Sequence, residues 1–126
     1  MADRVLVDAP CTGLGVVRRR PEIKWRVQPQ HFPGMATLQQ SILDGAAGTV
    51  RIGGMVLYSV CTMEPEEGQG VVEAFVDRHP GFELDPTLPL PDGLPPAQVS
   101  RPGMVTLLPH RQGTDGFFIA AMRRRR

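Results

Sequence analysis

Two apolar runs, each ending just short of a cysteine, constrain this chain more than any other feature of its sequence. Arg4-Val5-Leu6-Val7-Asp8 is a short β-branched run closed by a carboxylate and followed by Ala9-Pro10-Cys11-Thr12-Gly13-Leu14-Gly15. Met55-Val56-Leu57-Tyr58-Ser59-Val60 is a second continuous run that leads directly into Cys61. Proline and glycine stop the first strand and open a loop. Strands that are apolar throughout suit a parallel sheet covered on both faces. In open α/β sheets ligands collect at the carboxyl ends of the strands. As parallel neighbours, the two runs would open Asp8–Cys11 and Ser59–Thr62 onto one crevice.

The segments between and after them complete an α/β pattern. Residues 16 to 36 read as a loop broken by Pro21, Pro29 and Pro33. Thr37 is a candidate cap for a helix over 37–47, with Leu38, Ile42 and Leu43 at helical spacing and Gly53-Gly54 closing the unit. Glu64-Pro65-Glu66-Glu67 reads as a second helix start, because proline and acidic residues suit a first turn. Its body carries Val71, Val72, Phe75 and Val76 on one stripe and ends near His79-Pro80-Gly81. Phe82–Leu84 is a short strand candidate, and residues 86 to 103 read as an irregular, proline-rich loop. Met104–Leu108 and Phe117–Met122 are expected to form a hairpin-like antiparallel edge around Gly113–Gly116. This supplies about one βαβ half of a doubly wound sheet. No Gly-x-Gly-x-x-Gly fingerprint follows a strand, and Gly13-Leu14-Gly15 is too short a match for a phosphate cradle.

Composition serves mainly to exclude. At 126 residues the chain is one domain at most, and its 41% hydrophobic content is ordinary. No run approaches the roughly 20 apolar residues of a membrane span. Met1-Ala2-Asp3-Arg4 enters the first strand without a signal peptide, so a cytoplasmic location is expected. Three scattered histidines and two cysteines give no metal-ligand spacing, and no metal is expected. The net charge of +1 creates no global field, but the 14 basic residues are clustered. Five of them, Arg18, Arg19, Arg20, Lys24 and Arg26, fall in one short segment, and four form the run Arg123 to Arg126. Such clusters suit a phosphate-tracking surface, or else a solvated loop and a frayed tail. Trp25, inside the first cluster, is a base-stacking or a packing residue. Either cysteine alone reads as an inert small hydrophobe. Two of them at equivalent strand ends, one three residues from a carboxylate, favour chemistry.

Asp-Ala-Pro-Cys-Thr-Gly-Leu-Gly at 8–15, with Arg-Arg-Pro-Glu-Ile-Lys-Trp at 19–25, closely resembles the first cysteine motif of Sun-family RNA cytosine-C5 methyltransferases. The helix with Leu38-Gln39 and Ile42-Leu43 resembles the family's next helix. Gly53 to Thr62 with Pro65-Glu66-Glu67 resembles its second cysteine motif, and Thr114 to Ala120 its closing strand. The bacterial B-type ribosomal small-subunit enzymes are the nearest group. Two departures stand out: Val60 and Gly68 occupy positions where the family usually has threonine and asparagine.

The resemblance implies the C-terminal half of a Rossmann-like class I methyltransferase fold, mostly parallel with an antiparallel edge hairpin. Residues 1–126 would be that C-terminal part, with the donor-binding N-terminal half absent. It implies S-adenosyl-L-methionine as methyl donor, its main binding loop missing, with Asp8 and Pro10 beside it. It implies Cys61 as the thiolate that adds to cytosine carbon 6, Cys11 as the helper in proton removal and release, and Asp8 as the carboxylate at the cytosine edge. Arg18, Arg19, Arg20, Lys24 and Arg26 would hold RNA, ribosomal or transfer, around an unpaired or flipped cytosine. An inactive fragment, or one piece of a split enzyme needing a companion chain, is the alternative. A DNA cytosine methyltransferase would use the Pro-Cys cysteine as nucleophile and need no Cys61. A non-catalytic RNA-binding module would need neither thiol.

Overall fold

β-Branched runs form strands where their side chains can pack on a pleated surface, and here they do so on both sides of one helical crossover. The computed structural model describes residues 1–88 and 98–126. Strand β1 (Ala2–Asp8) is followed by a 3-10 turn (Leu14–Val16), the short helix α1 (Ile23–Arg26) and the long helix α2 (His31–Ala47). Strand β2 (Val50–Val60) and helix α3 (Gln69–Arg78) come next, then β3 (Phe82–Leu84), β4 (Gln98–Arg101), β5 (Met104–Leu107), α4 (Pro109–Gln112) and β6 (Phe117–Arg124).

The strands form one sheet in the order β1-β2-β6-β5-β4, with β3 also paired to β6. The α/β architecture expected from the sequence is present. The sheet is mixed rather than mostly parallel: β1 and β2 run parallel, while β2–β6, β3–β6, β4–β5 and β5–β6 are antiparallel. The reason is topological. A parallel pair needs a long crossover, and α2 supplies one between β1 and β2. The later strands return through shorter links. The expected hairpin is the β5–β6 pair, but β6 lies inside the sheet and β4 forms the edge. Part of the segment read as loop, 98–101, is therefore strand; residues 89–97 of that segment lie outside the described residues.

Helix α2 begins at His31, earlier than expected, because Pro33 falls in the first turn, where the missing N–H costs nothing. Thr37 is thus no cap; its hydroxyl donates back to the Pro33 carbonyl at 3.0 Å. The face that α2 buries is Gln39, Leu43 and Ala47, while Leu38 and Ile42 stay exposed. Helix α3 buries Val71, Val72 and Phe75, three of the four stripe residues expected to face inward; Val76 packs partly against them. Its regular turns begin at Gln69, and Glu64–Gly68 form preceding turns with Gly68 N–H donating to the Glu64 carbonyl at 3.2 Å. The helices cover Val7, Val56, Tyr58, Val60, Ala120 and Met122 on one sheet face. On the other face of β1, Leu6 is exposed; Ile52, at the irregular start of β2, is exposed as well.

Candidate active site

The β1–β2 register decides the site. Asp8 stands opposite Ser59, so the two strands end side by side and release their loops in the same direction. Cys11 follows the end of β1 by three residues and Cys61 the end of β2 by one, and their sulfurs lie 3.0 Å apart. Both thiols are free and half-buried. Burial first, and the Cys61 sulfur second, push Cys11 up to about 12. Tyr58, buried beneath, is also pushed upward, chiefly by desolvation. Asp8 is exposed and accepts a hydrogen bond from the Ser59 hydroxyl at 2.9 Å. Pro10 is exposed as well, and its carbonyl accepts from Gln39 Nε2 at 2.9 Å.

Three chain segments meet behind the thiols with almost no side chain between them. The Gly15 N–H donates to the Cys61 carbonyl at 2.9 Å, and the Gly116 N–H donates to the Gly15 carbonyl at 2.6 Å. A Cβ at Gly15 would collide with the Gly116 carbonyl, and one at Gly116 with Met63 and the Gly15 Cα. The closing segment Thr114–Phe117 is therefore part of the site's wall. A Cβ at position 68, one of the two departures from the family pattern, would run into the Phe118 ring.

The basic segment after Cys11 divides in two. Arg18 and Arg19 both reach Asp115, at 3.2 Å and 2.6 Å, and hold that carboxyl below its ordinary value, Arg19 foremost. Arg20, Lys24 and Arg26 are exposed, and among the described residues no ion pair holds them. Lys24 Nζ sits 4.9 Å from the centre of the Trp25 ring. Trp25 itself is 78% exposed and does not join the core of this chain. The terminal arginines are not a frayed tail. Arg123 and Arg124 belong to β6, Arg123 pairs with Asp85 at 2.6 Å, and Arg125 pairs with Glu83 at 2.6 Å.

Sequence reasoning missed the polar groups that fix the site: Thr12, Gln39, Glu67 and Asp115. Glu67 and Gln39 are fully buried. Their only sequence signal is a polar residue on the inward face of an otherwise apolar helix or turn. Among the described residues no cluster of three metal-ligating side chains occurs, and no helix is long and apolar enough to cross a membrane.

With two thiols converging at the carboxyl ends of parallel strands, the comparison with known proteins is decisive. The model of the 16S rRNA methyltransferase RsmB/F family matches residues 1–123. The chain belongs to that family. It is 46% identical over 125 residues to a protein of Bacillus subtilis described as a probable ribosomal RNA small subunit methyltransferase B, covering 98% of this chain and 28% of the relative. It is 44% identical over 123 residues to the ribosomal RNA small subunit methyltransferase B of Thermus thermophilus, covering 98% and 29%. Among solved structures, NSun6 from Pyrococcus horikoshii with SFG superposes with a TM-score of 0.80 at 30% identity, over 96% of this chain and 29% of that one. This RsmB/F chain thus spans under a third of the length of these three relatives, and its fold is the Rossmann-like one of methyltransferases.

Proposed function

We propose that this RsmB/F chain carries the thiol-bearing part of an S-adenosylmethionine-dependent RNA cytosine-C5 methyltransferase. The observation that carries the reading is the 3.0 Å sulfur pair at the ends of adjacent parallel strands. Carbon 5 of cytosine is a poor nucleophile. Addition of the Cys61 thiolate to carbon 6 makes the ring enamine-like, so that carbon 5 can accept a methyl group. Transfer of the carbon 5 proton to a water molecule then returns the electron pair to the ring and expels the Cys61 thiolate. Cys11, which keeps its own proton at neutral pH, stands against the Cys61 sulfur and assists release by hydrogen-bonding the departing Cys61 thiolate. Asp8, exposed at the strand end, orients the cytosine edge through hydrogen bonds.

Asp8 and Pro10 are open to solvent beside the thiols at the end of edge strand β1, which fits one wall of a donor site. When bound, S-adenosylmethionine supplies an electrophilic methyl group there; the SFG in a structure similar to this one agrees with a donor of that type. Arg20, Lys24 and Arg26 are free to meet phosphates, with Arg18 and Arg19 partly committed to Asp115. Exposed Trp25 is available to stack on a base. A target base must leave its stack to enter the crevice, so the substrate is unpaired or flipped cytosine in ribosomal RNA, modified in the cytoplasm.

A specific observation favours a second reading of the chain on its own. It spans 28% of its Bacillus subtilis relative, and one face of β1–β2 is uncovered. On this reading the remaining methyltransferase segment, in the same or a companion chain, must be supplied before turnover. The test is trapping on RNA containing 5-fluorocytosine with donor present. A denaturation-resistant adduct that vanishes with Cys61→Ala is expected, and loss only with Cys11→Ala would reverse the two roles. No adduct from this chain, but one after the remaining segment is added, selects the second reading; none in either case removes the proposal.

A further inference from the structure

Glu67 is fully buried although its neighbours Pro65 and Glu66 are exposed. Its Oε1 accepts the Thr12 backbone N–H at 2.8 Å, and its Oε2 accepts the Thr12 hydroxyl at 2.6 Å. Gln39 Nε2 donates both to Glu67 Oε1 at 3.2 Å and to the Pro10 carbonyl at 2.9 Å. The Tyr58 hydroxyl donates to the Glu67 carbonyl at 2.6 Å, tying the same residue to β2, the strand that ends at Cys61. Pro10 and Thr12 flank Cys11. The buried Glu67 carboxyl and Gln39 amide therefore grip the backbone on both sides of Cys11, and the Glu67 main-chain carbonyl is tied to the strand leading to Cys61.

Burying such a group is unfavourable unless its oxygens are fully engaged. An apolar side chain could fill the space, but it could not fix a loop without regular secondary structure in a single register. Directed hydrogen bonds inside a low-dielectric interior can. We propose that Glu67, oriented by Gln39, is a positioning residue that holds the Cys11 loop so that the Cys11 sulfur stays against the Cys61 sulfur. The catalytic consequence rests on the roles given above to the two cysteines, since a displaced Cys11 would no longer reach the bond it helps to break.

The test reads the sulfur geometry directly and needs no turnover. Phenylarsine oxide condenses with two neighbouring thiols, forming two arsenic–sulfur bonds and releasing water. Its affinity is measured for this chain and for Cys11→Ala, Glu67→Leu, Thr12→Val and Thr12→Ser, with thermal melting as the folding control. Cys11→Ala should abolish chelation, and Thr12→Ser, which keeps the hydroxyl, should match the wild type. Thr12→Val should weaken it about tenfold, as the loss of one strong hydrogen bond would. Glu67→Leu should weaken it by about 100-fold, the scale of a misplacement near 1 Å. If Glu67→Leu does not fold, Thr12→Val decides. Wild-type affinity in Thr12→Val and in folded Glu67→Leu overturns the positioning role, even where the fluorocytosine adduct forms. The expected arsenical pattern without any adduct upholds it and removes the reaction instead.

Discussion

Two sulfurs 3.0 Å apart cannot both release a proton at the ordinary cost. Cys11 is pushed up to about 12, first by burial and then by the Cys61 sulfur. Removing Cys61 deletes the second cause and leaves the first. In Cys61→Ala, Cys11 should therefore titrate lower, and iodoacetamide at pH 8 should modify it faster than in the wild type. Equal rates by peptide mass spectrometry would contradict this. The same shift sets an alkaline limit. The native chain keeps the Cys11 proton from the ordinary thiol value of about 8.5 up to about 12, where the unfolded chain has released it. Its stabilising contribution is complete below the lower value and lost as pH rises through the upper one. Urea titrations at pH 8 and 10.5 should show a steeper loss in wild type than in Cys11→Ser. The pairing of the two cysteines at neighbouring strand ends was legible because each closely follows an apolar run. Glu67 and Gln39 were not, because their partners lie 55 and 28 residues away and leave no local pattern.

At the scale of elements, helix α2 shows where periodicity misleads. Leu38, Ile42 and Leu43 share a helical spacing, yet the covered stripe is Gln39, Leu43 and Ala47. The reason is the site: Gln39 turns inward to hold Pro10 and Glu67, and Leu38 and Ile42 rotate outward with it. Leu43→Ala should therefore cost about 2–5 kcal/mol and Leu38→Ala under about 0.5 kcal/mol by chemical denaturation. Similar costs at both positions would contradict the assignment of faces. Strand β4 was hidden by its shortness beside a proline-rich segment. Arg123 and Arg124 became part of a strand, where Asp85 and the Val50 carbonyl receive them, and Glu83 receives Arg125 just beyond it. Asp85 is held below its ordinary value, first by the Thr87 hydroxyl and then by Arg123. That contribution is present above the ordinary carboxylate value and lost as pH falls through the lowered one. Asp85→Ala should cost about 2 kcal/mol at pH 7, and the gap from wild type should shrink on acidification.

For the whole molecule, the consequence of a mixed sheet is an asymmetric surface. β1 is an edge strand, and beside it Arg4, Val5, Leu6, Met55, Leu57 and Leu88 line a groove of about 350 Å³. An open apolar edge invites pairing. The chain alone should show concentration-dependent association in light scattering, and Leu6→Lys should reduce it; a monomer at all concentrations would contradict this. The continuous apolar runs made the parallel pair legible. They gave no warning that only one face would be covered, because a strand's composition does not say which layer lies against it.

The contact of Gly15 with Gly116 also has a bearing on how such a chain can change over generations. Both positions already hold the smallest residue, so a gain of volume at one cannot be offset by a reduction at the other. The usual route of paired compensation is closed there. Variation at this junction has to begin with a movement of the backbone itself, and that movement would carry the carbonyl of Cys61 with it.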